Sequence, residues 1–366
     1  MRKLPALGTV AAVALVLTGC AGAGADPGAA ADTGAAGERL QIVATTTQLA
    51  DVTREIVGDS AEVTSLLQPG ASAHSFDPGP AALSALADAD LLVINGAGLE
   101  GWLDDTVEAS GFAGTMVDTS SELELIAADE DPHAGHDHEH EHEGEAAEEH
   151  AEHEHEHEHE HETAEEHAEH DHEGHDHGEF DPHVWSDPAN VILQAEAIAT
   201  AVTAADPELD IDASVTAYVG QLEALETWMR DSIEQVPVEE RLVVTTHDTF
   251  GYLERAFDVQ VVGTVLPSLD DSAEASAAHI DELVAEIRET GTSVVFSESA
   301  IDPQLAATIA REAGVELREG EDALAADALG PEGSDTATYI DAQIHNITAI
   351  VTAWGVEPLA VPESLT

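Results

Sequence analysis

The chain contains one cysteine, Cys20, and one lysine, Lys3, both close to its start. A single cysteine excludes a disulfide within the chain and any thiolate metal site. Basic residues number 10 against 76 acidic ones, for a formal net charge of -66. Such a surface argues against nucleic acid and anionic lipid as partners and favours cations, although a solubility adaptation accounts for most of the acidity of the folded body. Long hydrophobic runs are also missing: the apolar stretch 4–17 is too short to cross a bilayer as a mature helix.

That stretch is nonetheless informative. Arg2 and Lys3 precede it, and Leu17-Thr-Gly-Cys20 ends it. The tetrapeptide resembles the lipobox of bacterial lipoproteins, which implies a signal peptide over 1–19 and lipidation of Cys20. The mature protein is then expected outside the cytoplasm, anchored by lipid to the cell membrane. Residues 20–38 are rich in alanine and glycine and read as a flexible tether.

A length of 366 residues suggests two domains. From residue 39 the pattern is α/β. Apolar strand runs near 40–47, 61–67, 90–95 and 114–118 alternate with helical spacing over 48–57, 81–87 and 101–109, the pattern of a parallel sheet with crossover helices. After an insertion, Asp187-Pro188 reads as an N-cap followed by proline at the first helical position. The helix it starts should run to about residue 205, and a longer one should cover 212–236. The first pattern then repeats, with strands near 241–246, 259–265, 293–298 and 315–317. Helices are expected near 249–257, 273–290, 303–313 and 336–354. The organisation expected is a lobe over 39–211, a linking helix over 212–236 and a second lobe over 237–366.

The insertion 129–178 holds 16 of the 21 histidines. Its centre alternates histidine and glutamate, including His153, His155, His157, His159 and His161, with no apolar residue to offset the entropy of ordering. It is expected to be disordered and to gather zinc weakly, as an accessory to a primary site, the other reading being an expandable repeat with little effect on that site. The run contains His-Glu-x-x-His at His138 and at His153, but an alternating repeat produces that spacing by arithmetic, without the helix a metalloprotease needs.

Five histidines lie elsewhere: His74, His183, His247, His279 and His345. The first three stand in loops or at strand ends. His247 follows the strand Leu242-Val-Val-Thr-Thr246 and precedes a helix, at the carboxyl end of a parallel strand, where open α/β sheets bind ligands. Three imidazoles and one carboxylate make a reasonable tetrahedral zinc set. The separations of these histidines carry no local signature, and a lone histidine is more often a surface or hydrogen-bonded residue than a ligand. Glu298 at a strand end reads first as a solvated acid, with a partner of a ligand or an alternative ligand as the other readings. Asp181 and Asp248 flank histidines and could orient them, with simple N-capping an equal reading of Asp248. His279 and His345 read as surface residues, and Trp102, Trp185, Trp228 and Trp354 as core or cleft wall.

Three segments narrow the choice: Pro69-Gly-Ala-Ser-Ala-His-Ser-Phe-Asp-Pro78, Asp181-Pro-His-Val-Trp-Ser-Asp-Pro188 and Val244-Thr-Thr-His-Asp-Thr-Phe-Gly-Tyr252. They resemble, in order, the signature segments of the zinc/manganese solute-binding lipoproteins of ABC importers, and Ala325-Ala-Asp-Ala-Leu-Gly330 resembles that family's last ligand segment. The resemblance implies two similar α/β lobes with parallel sheets, joined by a rigid helix, and a metal site in the cleft between them. It implies His74, His183, His247 and Asp327 as ligands, the first two from the first lobe and the last two from the second. It further implies a monomer that captures Zn²⁺ outside the membrane and hands it to an ABC permease. Manganese-preferring members carry glutamate at the third position, where this chain has His247. Manganese or iron transport on the same fold is the nearest alternative. A secreted zinc hydrolase would need an open coordination position and a general base, and no local motif supplies either. A surface adhesin or metal buffer acting through the histidine run is the third class.

Overall fold

A computed structural model describes residues 39–128, 179–271 and 273–366. The signal peptide, Cys20, the tether and the histidine run 129–178 lie outside the described residues. All eight expected strands and all nine expected helices form, with ends displaced by a few residues.

Four strands build the first sheet: β1 (Gln41–Ala44), β2 (Glu62–Ser65), β3 (Leu91–Ile94) and β4 (Thr115–Asp118). They pair in the order β2-β1-β3-β4, and every pairing is parallel. β3 is buried at all four positions, as expected of a central strand covered on both faces. The covering helices are α1 (Thr47–Val57), α2 (Pro80–Ala87) and α3 (Leu103–Ser110). Thr46 caps α1 by accepting the Leu49 amide at 3.2 Å. α4 (Pro188–Ala205) opens as its sequence indicates: the Asp187 side chain accepts from the Ala189 amide, with proline first in the helix.

α5 (Asp212–Ile233) is the long helix expected between the halves. At a rise of about 1.5 Å per residue it spans about 33 Å. It packs on α1 and α4 from the first half and on α9 (Tyr339–Ala353) from the second. The second half repeats the alternation with β5 (Leu242–Thr245), α6 (Gly251–Phe257), β6 (Gln260–Thr264), α7 (Ala277–Thr290), β7 (Val294–Phe296), α8 (Gln304–Ala313) and β8 (Glu316–Arg318).

The repeat is inexact. Among the described residues β5 pairs with β6 and β7 with β8, all parallel, as two separate two-stranded ladders. The register between β5 and β6 also shifts at Val243/Val244. Just past the two strands, the Glu298 carboxylate takes the amides of Thr246 and His247 at 2.9 and 3.0 Å. The largest apolar core draws on both halves, joining Ile42, Leu91 and Leu222 to Val243, Phe296 and Ile347. A smaller one lies under α7 and α8, and another under α2 and α3. What this frame does for function is to aim the carboxyl ends of β1, β3, β5 and β7 at one region.

Candidate metal centre

Each of the four sequence-derived positions stands where regular structure stops. His74 sits in the loop between β2 and α2, and His183 between β4 and α4, at the start of a short 3-10 turn. His247 follows β5 by two residues, and Asp327 lies in the irregular stretch between β8 and α9. The fold brings them together. His74 Nε2 lies 3.1 Å from His183 Nε2. Asp327 Oδ2 lies 3.3 Å from His247 Nε2 and 3.8 Å from His74 Nε2, and Oδ1 lies 3.7 Å from His183 Nε2. One donor atom from each residue falls within 4.8 Å of all the others. His183 and His247 are fully buried, and Asp327 is 2% exposed.

Two more carboxylates hold the rings from behind. Asp181 Oδ1 lies 2.8 Å from His183 Nδ1 and also accepts the His183 amide at 2.9 Å. Glu298 Oε2 lies 2.6 Å from His247 Nδ1. That contact is close yet poorly aligned for a hydrogen bond, so both His247 nitrogens lack a hydrogen-bond partner among the described residues. In each pair the carboxylate takes Nδ1, which turns Nε2 toward the common centre, the arrangement usual for metal-binding imidazoles. Tyr252 steadies the first pair: its hydroxyl donates to the Asp181 carbonyl at 2.8 Å and accepts the Ile126 amide at 3.2 Å. Asn95, just past β3, donates to the Pro182 carbonyl at 2.8 Å. Gly251 is required here as a side-chain-free position, since a Cβ would sit 2.7 Å from Asp181 Oδ2.

Both Asp327 oxygens are buried without any hydrogen-bond donor among the described residues. A buried carboxylate in that state is costly unless positive charge stands beside it. Burial favours its neutral form, but His247 foremost, then His183 and His74, outweigh burial and hold it below the usual carboxylate range. His247 shows the reciprocal effect. Burial opposes its charge, and Glu298 and Asp327 overcome that, so its pKa stands well above the ordinary value. Burial, with the nearby His183 next, pushes His74 down to about 4. Three imidazole Nε2 atoms and the Asp327 oxygens thus face one centre backed by two further carboxylates, and a cation that displaced the His247 proton would find a complete donor set. The donor set, three imidazole nitrogens and one carboxylate, suits a borderline divalent ion.

Not every expectation about neighbours survives. Glu298 is no solvated strand-end acid; it is 3% exposed and backs His247. Asp248 does not take the orienting position on His247, which belongs to Glu298, and its amide donates to the Ser268 carbonyl. His279 and His345 are half-buried, each with Nε2 at hydrogen-bond distance from a backbone carbonyl, that of Thr264 and of Ala323. Asp271 was not singled out by sequence; burial raises its pKa, a hydrogen bond with Ser72 opposes this, and Asp327 and His247 act on it electrostatically. Its only sequence signal was an acid pair in a loop after β6.

The molecule is similar to known proteins along nearly its whole length. The manganese-binding lipoprotein MntA of Halalkalibacterium halodurans is 27% identical over 356 residues, covering 96% of this chain and 98% of its own. The zinc-binding lipoprotein AdcA of Streptococcus pneumoniae is 27% identical over 282 residues, covering 76% of this chain and 48% of its own. Among solved structures, the periplasmic zinc-binding protein TroA from Treponema pallidum superimposes with a TM-score of 0.66 at 24% identity, covering 86% of this chain and 99% of its own. Its two-lobed α/β fold is the fold found here. The model of the family described as zinc-uptake complex component A, periplasmic, matches residues 42–353; the chain belongs to that family, a family of metal-binding substrate receptors of ABC importers and not of enzymes.

Proposed function

We propose that the protein captures Zn²⁺ and delivers it to an ABC permease, with His74, His183, His247 and Asp327 as the ligands. The observation that carries this is the converging, buried His₃Asp set, whose Asp327 oxygens have no donor among the described residues. Zinc bonds of about 2.0–2.1 Å imply tetrahedral edges of about 3.3 Å. With Asp327 Oδ2 as the carboxylate donor, the separations given above are 3.1, 3.3 and 3.8 Å, close to that edge. Four protein donors close the shell, as binding without catalysis requires.

The choice of zinc rests on the donors. Of the two relatives above, one is named for manganese and the other for zinc. Three imidazoles favour zinc over manganese, a harder ion lower in the Irving–Williams order. Residues 39–211 and 237–366 act as the two lobes, with 212–236 as the strut between them. The protein works as a monomer outside the cytoplasm, held to the membrane by lipid on Cys20. The histidine run 129–178 serves as an accessory that concentrates zinc near the cleft.

The test is a chelator-competition titration with zinc and manganese, on the mature protein and on the same protein without residues 129–178. One tight zinc site in both, lost in His183→Ala and weakly challenged by manganese, is expected. A tight manganese site that zinc displaces poorly would move the protein to the manganese branch. Loss of the tight site with the histidine run would make that run the binder.

A further inference from the structure

The Asp327 carboxylate receives no hydrogen bond among the described residues, and only its contacts of 3.3 to 3.8 Å with the three imidazoles act on the side chain itself. The backbone around it, in contrast, is gripped on every side. Ala326 carbonyl oxygen accepts from Trp185 Nε1 at 2.9 Å and from Gln48 Nε2 at 3.3 Å. Thr47 Oγ1 accepts the Leu329 amide at 2.9 Å, and the Thr47 hydroxyl donates to Gln48 Oε1 at 3.0 Å. The Gly70 amide donates to the Leu329 carbonyl, and Asn346 bonds both backbone groups of Ala325 at 2.8 Å. The run Ala325-Ala-Asp-Ala has small side chains around a buried backbone, and small side chains are what let Trp185 and Gln48 approach it.

Of these anchors Trp185 has the most consequential place. It lies two residues beyond His183, and its ring meets the His183 ring edge-on at 5.4 Å between centroids. Its carbonyl accepts from Tyr339 Oη at 2.8 Å, so it is tied to the start of α9 as well. Both its ring N–H and its carbonyl are thus committed. The Trp is a rigid bracket, with one end on the second ligand's segment and the other on the fourth's.

Building on the metal-site reading above, we infer that Trp185 is a positioning residue that sets the spacing between His183 and Asp327, with Gln48 as a weaker second anchor. The bracket holds Asp327 at the spacing a small four-coordinate cation needs. Removing it lets the carboxylate wander, which costs zinc more than a larger cation with looser coordination.

The experiment uses the full mature protein and chelator competition with Zn²⁺ and Mn²⁺ alone, with absorption of the Co²⁺-loaded protein as a geometric readout. Trp185→Phe keeps the ring and removes the N–H. Zinc binding should weaken about 10- to 100-fold, the usual cost of losing an outer partner. The zinc-over-manganese ratio should narrow, and the intense visible bands of tetrahedral cobalt should fade. Trp228→Phe removes an equivalent bond, Nε1 to the Leu359 carbonyl at 2.8 Å, far from the site, and should leave all three unchanged. In an Asp327→Ala background, Trp185→Phe should add no further loss. Gln48→Met should act in the same direction, more weakly, and covers the case in which Trp185→Phe does not fold. Wild-type zinc affinity and cobalt bands in Trp185→Phe or, should that variant not fold, in Gln48→Met, overturn the inference. So does a loss that persists undiminished without Asp327. Absence of a tight zinc site in the wild type would instead overturn the function proposed above, a different and separable result.

Discussion

The two halves of the molecule each bring two candidate ligands to the centre, but they prepare them differently. The first half has one continuous four-stranded sheet and supplies two imidazoles, His74 and His183. His74 is the most open of the four, and burial with a neighbouring imidazole keeps it neutral down to about pH 4. The second half has its strands split into two ladders and supplies the charged pair. There, Glu298 and Asp327 hold a proton on His247, while Asp327 stays ionised. The difference teaches how a metal would load: it meets a ready lone pair on the first side and displaces a proton on the second.

The largest expected effect comes from deleting a ligand on either side. His183→Ala or His247→Ala should weaken zinc by more than the 10- to 100-fold typical of outer partners, measured by chelator competition. Equal affinity in either variant would remove that half from the site.

Next come the two carboxylates behind the rings. Glu298→Gln and Asp181→Asn should each cost about 10- to 100-fold in zinc affinity. The Glu298 change should be the more severe, because that carboxylate holds two backbone amides, of Thr246 and His247, where Asp181 holds one, of His183. It should also lower the His247 pKa, visible by NMR titration of the metal-free protein, whereas Asp181→Asn should leave His247 nearly unmoved. The reverse order would break the asymmetry.

The pH dependence sharpens the same contrast. On the proposed ligand set protons compete with zinc for His247, so apparent affinity should fall about tenfold per pH unit as pH drops below the raised His247 pKa. The loss therefore begins above the ordinary value of about 6.5. His74 joins the competition only near pH 4. The fold itself follows the opposite sign at His247. Its raised pKa contributes stability that is fully present below about pH 6.5 and lost as pH rises through the raised value. The lowered His74 pKa removes stability as pH falls from about 6.5 to 4. Thermal melts of the metal-free protein should show both limbs, and Glu298→Gln should flatten the alkaline one.

The smallest effect is expected at Gly251, where an added Cβ would press on Asp181. Gly251→Ala should reduce zinc affinity by less than Asp181→Asn and leave the His247 titration in place. An effect on His247 as large as on zinc would mean that the two halves are not prepared separately.

Much of this was legible in the sequence because the periodicities were strong. Strands such as Leu91–Ile94 are uninterrupted apolar runs, and Asp187-Pro188 announces α4 by its chemistry. The three histidines were legible by the segments around them. What stayed hidden depended on contacts across long separations. Glu298 looked like a solvated acid because nothing local says that it would fold back onto Thr246 and His247, some fifty residues earlier. The segment around Asp327 looked featureless because its specificity lies in backbone groups gripped by Trp185, Gln48, Thr47 and Asn346, and alanines carry no sign of that.

The most direct measurement is zinc and manganese competition on the mature protein lacking residues 129–178, repeated with His183→Ala and Asp327→Ala. One tight zinc site, lost when either residue changes and little challenged by manganese, is the result predicted. A folded protein with no tight zinc site, or one whose tight site survives both substitutions, would contradict the assignment of the cleft as the zinc receptor.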